Sequence, residues 1–284
     1  LRIDEKHGFY VDFYRSDNMI SNDYLYHNIG DSVILYAQDG NVLRQDEVLS
    51  YPCVGEDYPG LRYFRSVRTT GLNDSMVVAL FSARLLNTGT SYMKMWMPAS
   101  SDVSYFTALA PGAKTASSPY QSKPSLVVTM RKEKPAVEEP FVAVYEPISD
   151  KLSAGLIESV DRIKLDPRGK EGCAIKVKTK EGDTFTLVNI LKGGPVILNN
   201  QKCCADFAIF AKRKGKNSVY VGNGFFVENK EFKVESENRG SFYMEYDQTS
   251  LLVRSNCPIK IQAKNGMLKK PLYLTGGERV FKME

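Results

Sequence analysis

The sequence is poor in the residues and patterns that most often carry catalysis. Its 284 residues include two histidines, His7 and His27, and one tryptophan. The H-E-x-x-H pattern of zinc proteases, the G-x-S-x-G pattern of serine hydrolases and a glycine-rich phosphate loop are all absent. No apolar run approaches the roughly 20 residues that a membrane-spanning helix requires. We therefore expect neither these enzyme classes nor a membrane span.

Cysteine usage argues against a disulfide-rich scaffold. The chain has five cysteines, an odd number, and no C-x-x-C spacing. Neighbouring side chains on a strand point to opposite faces, so Cys203 and Cys204 are not expected to share a zinc ion. We predict buried free thiols, with one disulfide bridge as the alternative, and neither a metal nor a cofactor. The cysteines are Cys53, Cys173, Cys203, Cys204 and Cys257.

The charge of the chain suits an acidic partner without defining one. The net charge is +5, a mild positive excess. A nucleic-acid-binding surface would favour a dense basic stripe interleaved with aromatic residues. The densest basic run, Lys212–Lys216, lies between two strand patterns and is expected to be a solvated hairpin turn. We therefore predict no nucleic-acid partner.

Short segments rich in β-branched and aromatic residues, separated by turn residues, make up most of the chain. No helical periodicity extends over about ten residues or more. The pattern predicts an all-β fold of antiparallel sandwiches. A large, supersandwich-like β-sandwich is expected over residues 1–150 and a smaller C-terminal one over residues 151–284. The boundary is placed near Pro147–Ser153, because the strand patterns beyond it are shorter and more regular.

Turn chemistry gives local expectations within this fold. Turns are predicted at Glu181–Asp183, Asn223–Gly224 and Asn265–Gly266, where glycine follows a polar residue. Any short helix is expected in a loop, such as Gln45–Tyr51.

The most site-like stretch is Tyr24–Asn28, which holds two phenols, an imidazole and an amide. On a strand, Tyr24 and Tyr26 share one face and His27 lies on the other. His27 could serve as an acid, a base or a donor to a carboxylate; the alternative is a half-buried histidine bonded to the backbone. Tyrosine is abundant, at 16 residues, and its rings either face sugars or fill sandwich cores.

Asp12 lies inside an aromatic strand pattern and needs a partner, because a buried lone carboxylate is costly. Arg15, three residues further on, or a backbone turn is the expected partner.

Several segments, taken in order, resemble a known family. The most specific is P-F-V-A-V-Y-E-P at 140–147, followed by M-W-M at 95–97 with Y-F-T-A-L-A-P at 105–111. The others are H-G-F-Y-V-D-F-Y-R-S at 7–16 and D-Y-L-Y-H-N-I-G at 23–30. Together they resemble the C-terminal β-region of bacterial heparinase II/III-like polysaccharide lyases, over about residues 7–260.

The resemblance implies a function in the breakdown of acidic polysaccharide. Such lyases join an N-terminal α/α toroid to a β-sandwich region, are secreted or periplasmic, and cleave uronic-acid-containing polysaccharides, glycosaminoglycans among them, by β-elimination. The step needs neutralisation of the uronate carboxylate, a base for the C5 proton and an acid for the leaving oxygen. Tyrosine and histidine usually fill these roles in the family.

The sequence also departs from the family pattern. It contains no helical toroid and lacks the histidine and aspartate segments of the family's structural zinc site. No catalytic or metal residue is therefore carried over, and His27, Tyr24, Tyr26 and Arg15 are assigned only to the cleft edge that faces the missing toroid. The chain has no initiator methionine and no signal-peptide pattern, so it is expected to begin at a processing site or an internal boundary of a longer polypeptide.

Two classes of function follow. The first is the β-sandwich portion of a lyase, inactive without the rest of the parent polypeptide. The second is a non-catalytic carbohydrate-binding or structural β-sandwich module. An upstream reading frame with helical repeats would favour the first.

Overall fold

The computed structural model describes residues 1–52, 60–85, 89–112, 123–149, 155–166, 172–191, 194–198, 200–264 and 266–283. The chain divides into two compact units, Leu1–Leu156 and Ile157–Glu284, which are called unit 1 and unit 2. Cys53, Asn265 and the part of the predicted boundary beyond Ser149 lie outside the described residues. The predicted limits of two independent domains stay a prediction.

Unit 1 is built from β-branched and aromatic segments of the predicted kind, and each forms a strand. Its strands are β1 Tyr10–Tyr14, β2 Asn22–Asn28, β3 Ser32–Ala37, β4 Asp46–Glu47, β5 Arg65–Leu72, β6 Val77–Leu85, β7 Gly89–Met97, β8 Ser104–Ala110, β9 Ser125–Lys132 and β10 Phe141–Ser149. A turn of 3-10 helix occupies Leu61–Tyr63, and the described residues contain no α-helix.

Two five-stranded antiparallel sheets form the sandwich of unit 1. The first has the strand order β1-β10-β7-β6-β3 and the second β2-β9-β8-β5-β4. Alternate residues of both sheets meet in one core, with Phe81 and Met95 from the first sheet against Tyr105 and Val128 from the second. Strand β1 is one edge of the first sheet and β2 is one edge of the second; the opposite edges are β3 and β4.

The second sheet of unit 1 buries both of its faces. Phe106 and Val127 point away from the sandwich core, because successive side chains alternate along a strand. They pack against Tyr51 and Phe64 from the segment between β4 and β5. This covering explains why every residue of the central strand β9 is buried.

Unit 2 consists of one antiparallel sheet with long central strands. Its strands are β11 Ile157–Ile163, β12 Gly172–Thr179, β13 Thr184–Ile190, β14 Val196–Leu198, β15 Gln201–Arg213, β16 Lys216–Glu228, β17 Phe232–Tyr246, β18 Ser250–Ser255, β19 Ile259–Ala263, β20 Leu272–Leu274 and β21 Gly277–Lys282.

The long strands β15, β16 and β17 let this sheet fold over its own core. The first half of β17 pairs with β19, and its second half pairs with β18. Residues of both halves, such as Val234 and Met244, belong to one hydrophobic cluster. The register shifts near Gly224, where a Cβ would lie 2.6 Å from the Cβ of Ala205. Glycine is thus required at the bend.

Several local expectations are confirmed. The basic run Lys212–Lys216 is the hairpin turn between β15 and β16, with Lys214 and Gly215 both at positive φ. Glu181–Asp183 joins β12 to β13, with Gly182 at positive φ. The four described cysteines are free thiols; Cys173, Cys203 and Cys257 are buried, and Cys204 is half-buried. The all-β antiparallel fold class is confirmed as well.

Other expectations are wrong, and each difference from the structure has a physical reason. The strands after the boundary include the longest in the chain, because segments read as separate strands continue through bulges. Asn223–Gly224 is such a bulge within β16 and not a hairpin turn. The helical turn lies between strands, as expected of any short helix, but it is at Leu61–Tyr63 and not at the example Gln45–Tyr51, which contains β4.

No helix in the described part of the chain has the length and hydrophobicity that crossing a bilayer requires.

Candidate functional site

A cluster of tyrosines occupies the open side of the unit 1 sandwich, where edge strands β1 and β2 face each other. We call this cluster the tyrosine edge. The inward-facing residues of β1 alternate with outward-facing ones, so Tyr10, Asp12 and Tyr14 lie on one face. The tyrosine edge consists of Tyr10, Asp12, Tyr14, Tyr24, Tyr26 and Tyr145.

Hydrogen bonds join the centre of the tyrosine edge into a relay. The Tyr24 hydroxyl donates to Asp12 Oδ2 at 2.8 Å. The Tyr145 hydroxyl oxygen lies 2.6 Å from that of Tyr24. A phenol carries one proton, and that of Tyr24 is given to Asp12, so Tyr145 is the donor to Tyr24. The partner of Asp12 is therefore Tyr24, and not Arg15 or a backbone turn as expected.

Aromatic contacts hold these rings in place. The ring of Tyr26 lies 4.6 Å from that of Tyr145, centre to centre, and that of Tyr14 lies 5.7 Å from that of Tyr24. Tyr10 is 66% exposed and Tyr14 is 42% exposed. Two exposed rings thus stand beside a buried pair of phenols and a carboxylate, an arrangement that offers flat faces and hydroxyls to a sugar.

The environment keeps the buried phenols protonated. Burial is the main cause that raises the pKa of Tyr24, and its hydrogen bond to Asp12 raises it further. Burial, followed by the bond to Tyr24, raises the pKa of Tyr145. Burial alone raises the pKa of Tyr26. A base at neutral pH needs a lowered pKa, so these tyrosines are suited to hydrogen bonding or proton donation and not to taking a proton.

Of the four residues predicted to line a cleft, the structure brings two together. Tyr24 and Tyr26 lie side by side on the inner face of β2. His27 lies on the opposite face, with its ring 5.9 Å from that of Phe64. Partial burial lowers the pKa of His27, so at neutral pH the imidazole is uncharged. Arg15 follows the end of β1 and is half-buried.

A surface cavity of about 440 Å³ adjoins the tyrosine edge. Phe81 connects the two, because its ring lies 5.4 Å from that of Tyr26 and also lines the cavity. Among the described residues that line it, Lys6 is the charged one. Asn28 and Ser91 add polar groups, and Met93 adds an apolar surface. The described lining therefore offers a cation, Lys6, which could meet a carboxylate, and both polar and apolar contacts for a sugar ring.

The second histidine, His7, is held in a loop of its own. Its Nδ1 lies 2.7 Å from Asp4 Oδ2. The hydrogen bond to His7 is the main cause that lowers the pKa of Asp4 to about 2. In the described residues no three histidine, cysteine or acidic side chains come together as metal ligands would.

Sequence reasoning missed Tyr145 as a member of this cluster, and it missed the shared face of Tyr10, Asp12 and Tyr14. The period-two alternation of β1 was a usable signal for the latter. Tyr145 lies 121 residues from Tyr24, and no local pattern shows which strands become neighbours across a sandwich.

Comparison with known proteins relates the chain to a polysaccharide lyase. Over 153 residues it is 37% identical to an endo-acting ulvan lyase of Formosa agariphila. The match covers 52% of this chain and 18% of that enzyme, so the chain spans about a fifth of the length of the relative that it matches. No protein-family model matches the chain.

Proposed function

We propose that this chain is the β-sandwich portion of a heparinase II/III-like polysaccharide lyase that acts by β-elimination on uronic-acid-containing polysaccharide. The observation that carries the proposal is the 37% identity to an endo-acting ulvan lyase. The all-β antiparallel fold and the tyrosine edge agree with it. On this proposal the enzyme is secreted or periplasmic, where polymeric substrate is found.

The proposed role of the tyrosine edge is to hold the polysaccharide. Tyr10 and Tyr14 present exposed ring faces, which pack against the apolar faces of sugars. Asp12 accepts hydrogen bonds from sugar hydroxyls, and Lys6 in the adjoining cavity meets a uronate carboxylate. Asp12 is positioned by strand β1, and Lys6 lies in the bend that precedes this strand, so the two groups would orient the bound sugar from two sides.

The chain alone is proposed to lack the full catalytic set. Elimination at C5 needs a base, and burial keeps Tyr24 and Tyr145 protonated. His27 lies on the other face of β2. An open sandwich edge leaves water in the site, which weakens electrostatic stabilisation of the transition state. The remaining groups would come from an N-terminal α/α toroid of the parent polypeptide.

The second candidate is a non-catalytic carbohydrate-binding or structural module. It is favoured by the exposed rings of Tyr10 and Tyr14, which can bind a sugar without any catalytic base beside them. Such a module would use the same rings for binding and would do no chemistry in any longer polypeptide.

Turnover of an acidic polysaccharide separates the candidates. Elimination forms an unsaturated uronate that absorbs in the ultraviolet, so ulvan, alginate, heparin and heparan sulfate can be tested directly. We expect no enzyme-like turnover by this chain alone and steady turnover by the full parent polypeptide. Steady turnover by this chain alone, abolished in a His27→Ala variant, would contradict the proposal that the rest of the parent polypeptide supplies the remaining catalytic groups.

A pair of matched variants in the parent tests the tyrosine edge. Tyr14→Ala is expected to raise KM with little change in kcat, because it removes a contact made equally in the ground and transition states. Tyr63→Ala, an exposed tyrosine in the 3-10 turn, is the control and should change neither. Sugar binding without turnover by the parent would favour the second candidate.

A further inference from the structure

The two units differ strongly in net charge. Residues 157–284 contain 23 lysines and arginines and 15 aspartates and glutamates, a net charge of +8. Residues 1–156 contain 15 and 18, a net charge of −3. Unit 2 therefore carries all of the positive excess, and a polyanion would be attracted to it.

One face of unit 2 combines exposed rings with charged groups of both signs. The register places Tyr220, Tyr243, Arg254 and Glu278 in one row across β16, β17, β18 and β21. Four strands in a row span about 14 Å. Their neighbours along the same strands point into the core, as Val219, Met244 and Val253 do, so the row faces outward. We call this row and the residues beside it the platform.

The aromatic rings lie across the sheet and do not stand out from it. A Cβ at Gly222 would lie 3.4 Å from both Cε1 and the hydroxyl of Tyr220, so the ring of Tyr220 leans over the glycine. Tyr220 is 37% exposed, and Tyr243 beside it is half-buried. Phe207, whose ring centre lies 6.5 Å from that of Tyr220, extends the aromatic surface.

Polar and cationic groups surround the rings. The Arg254 Nε donates to Glu278 Oε2 at 2.5 Å, and both side chains are more than half exposed. Ser241 and Asn256 line the same cavity of about 400 Å³ as Tyr220 and Arg254. Lys216 and Lys282 lie on the same face, two rows further along.

We propose that the platform is a second glycan-binding surface, which takes an acidic oligosaccharide lying across the strands. The rings of Tyr220 and Tyr243 pack on sugar faces, and Arg254 exchanges its bond to Glu278 for a ligand carboxylate or sulfate. Glu278, Ser241 and Asn256 bond sugar hydroxyls.

The platform favours a glycan over a nucleic acid. A single strand of nucleic acid would also use rings and cations. Glu278 and Glu245 stand on the same face, however, where they would repel a phosphate backbone. Carboxylates can accept the many hydroxyl donors that a sugar polymer supplies. The proposal rests on unit 2 alone and is independent of whether the chain belongs to an active lyase.

Direct binding to the full chain tests the platform. The probes are a hexauronate prepared from alginate, neutral maltohexaose and a short poly-dT strand, measured by calorimetry at low salt. Tyr220→Ala and Arg254→Ala are each expected to weaken hexauronate binding about tenfold. Glu278→Gln is expected to tighten it, because Arg254 is released. Tyr273→Ala, a 67% exposed tyrosine of unit 2 that lies off the platform, should have no effect.

Thermal unfolding of each variant separates loss of binding from loss of structure. All four variants should melt within a few degrees of the wild type, because the changes are at the surface. The proposal is overturned if folded Tyr220→Ala and Arg254→Ala chains bind hexauronate as the wild type does. It is equally overturned if maltohexaose binds as tightly as hexauronate, or if poly-dT binds more tightly at the same residues.

Discussion

In unit 1 the ion pair of Arg131 and Asp23 lies inside the structure, whereas in unit 2 the pair of Arg254 and Glu278 lies at the surface. The exposed fractions of the side chains are 5% and 12% for the first pair, and 58% and 53% for the second. Both arginines donate through Nε to a carboxylate. The difference in burial implies that the first pair is required by the fold and the second is free to exchange partners with a ligand.

The buried pair has further support from aromatic rings. The Arg131 guanidinium lies 5.0 Å from the ring centre of Tyr51 and 5.6 Å from that of Phe106. It makes two hydrogen bonds to Asp23, of 2.7 and 2.6 Å. The outer face of the second sheet of unit 1 is thus organised around one charged group, whose partner cannot be lost without cost.

Removal of Asp23 is the change with the largest expected effect. Asp23→Ala should lower the free energy of unfolding of unit 1 by about 3 kcal/mol, because the buried Arg131 would lose both hydrogen bonds to its partner and keep an ion pair with the exposed Glu133 at 4.0 Å. Chemical denaturation followed by fluorescence measures the change. Glu278→Ala, the matched control in unit 2, should cost less than about 1 kcal/mol. Equal losses of stability in the two variants would contradict the proposed difference between the buried ion pair of unit 1 and the exposed ion pair of unit 2.

The bend in the long strands of unit 2 gives the next largest effect. Gly224→Ala is expected to lower the free energy of unfolding of unit 2 by about 1–3 kcal/mol. The new Cβ would lie 2.6 Å from the Cβ of Ala205 and 2.8 Å from the carbonyl oxygen of Cys204, where backbone must move. Gly60→Ala is the control, since a Cβ there meets nothing within 4 Å. A Gly224→Ala chain as stable as the wild type would contradict the account of the bend.

The tyrosine relay of unit 1 predicts a smaller effect with a definite pH dependence. Burial and the bond to Tyr24 raise the pKa of Tyr145, so the folded chain holds this proton more firmly than the unfolded chain does. The stability that follows is complete below about pH 10 and is lost as pH rises through the folded pKa. Above about pH 10, stability should therefore fall with rising pH.

Tyr145→Phe tests this dependence. At pH 7 the variant should be about 1 kcal/mol less stable, because one buried hydrogen bond is lost. Above pH 10 its stability should fall less steeply than that of the wild type. Tyr10→Phe, which changes an exposed hydroxyl, is the control and should match the wild type throughout. The idea fails if Tyr145→Phe and wild type show parallel losses at alkaline pH.

The two units also differ in how much of them the sequence could predict. In unit 1 the strand patterns match the strands closely, as β8 does at Ser104–Ala110, because turn residues separate them. In unit 2 the strands β15 to β17 continue through bulges at glycine and asparagine. From the sequence alone these residues predict turns, which would divide the strands there. β14, β20 and β21 are short or exposed and carry no clear hydrophobic alternation.

The candidate site, too, could be predicted from the sequence only in part. The shared face of Tyr24 and Tyr26 follows from strand alternation alone. The partners Asp12 and Tyr145 follow from which strands become neighbours, and this is decided by packing between distant segments. The platform of unit 2 likewise depends on the register of four strands, since its members are spread over residues 220–278.

The smallest expected effect concerns the cysteines. All four of the described cysteines are in unit 2. Cys203 belongs to the hydrophobic core, whereas Cys204, next to it on β15, points to the other face. Burial is the main cause that raises the pKa of the Cys203 thiol to about 12, so the thiolate that binds metal is disfavoured. We therefore predict that the pair binds no zinc.

The zinc content of the purified chain should be the same for the wild type and the Cys203→Ser, Cys204→Ser double variant. Stoichiometric zinc that is retained by the wild type and lost in the double variant would show the prediction to be wrong.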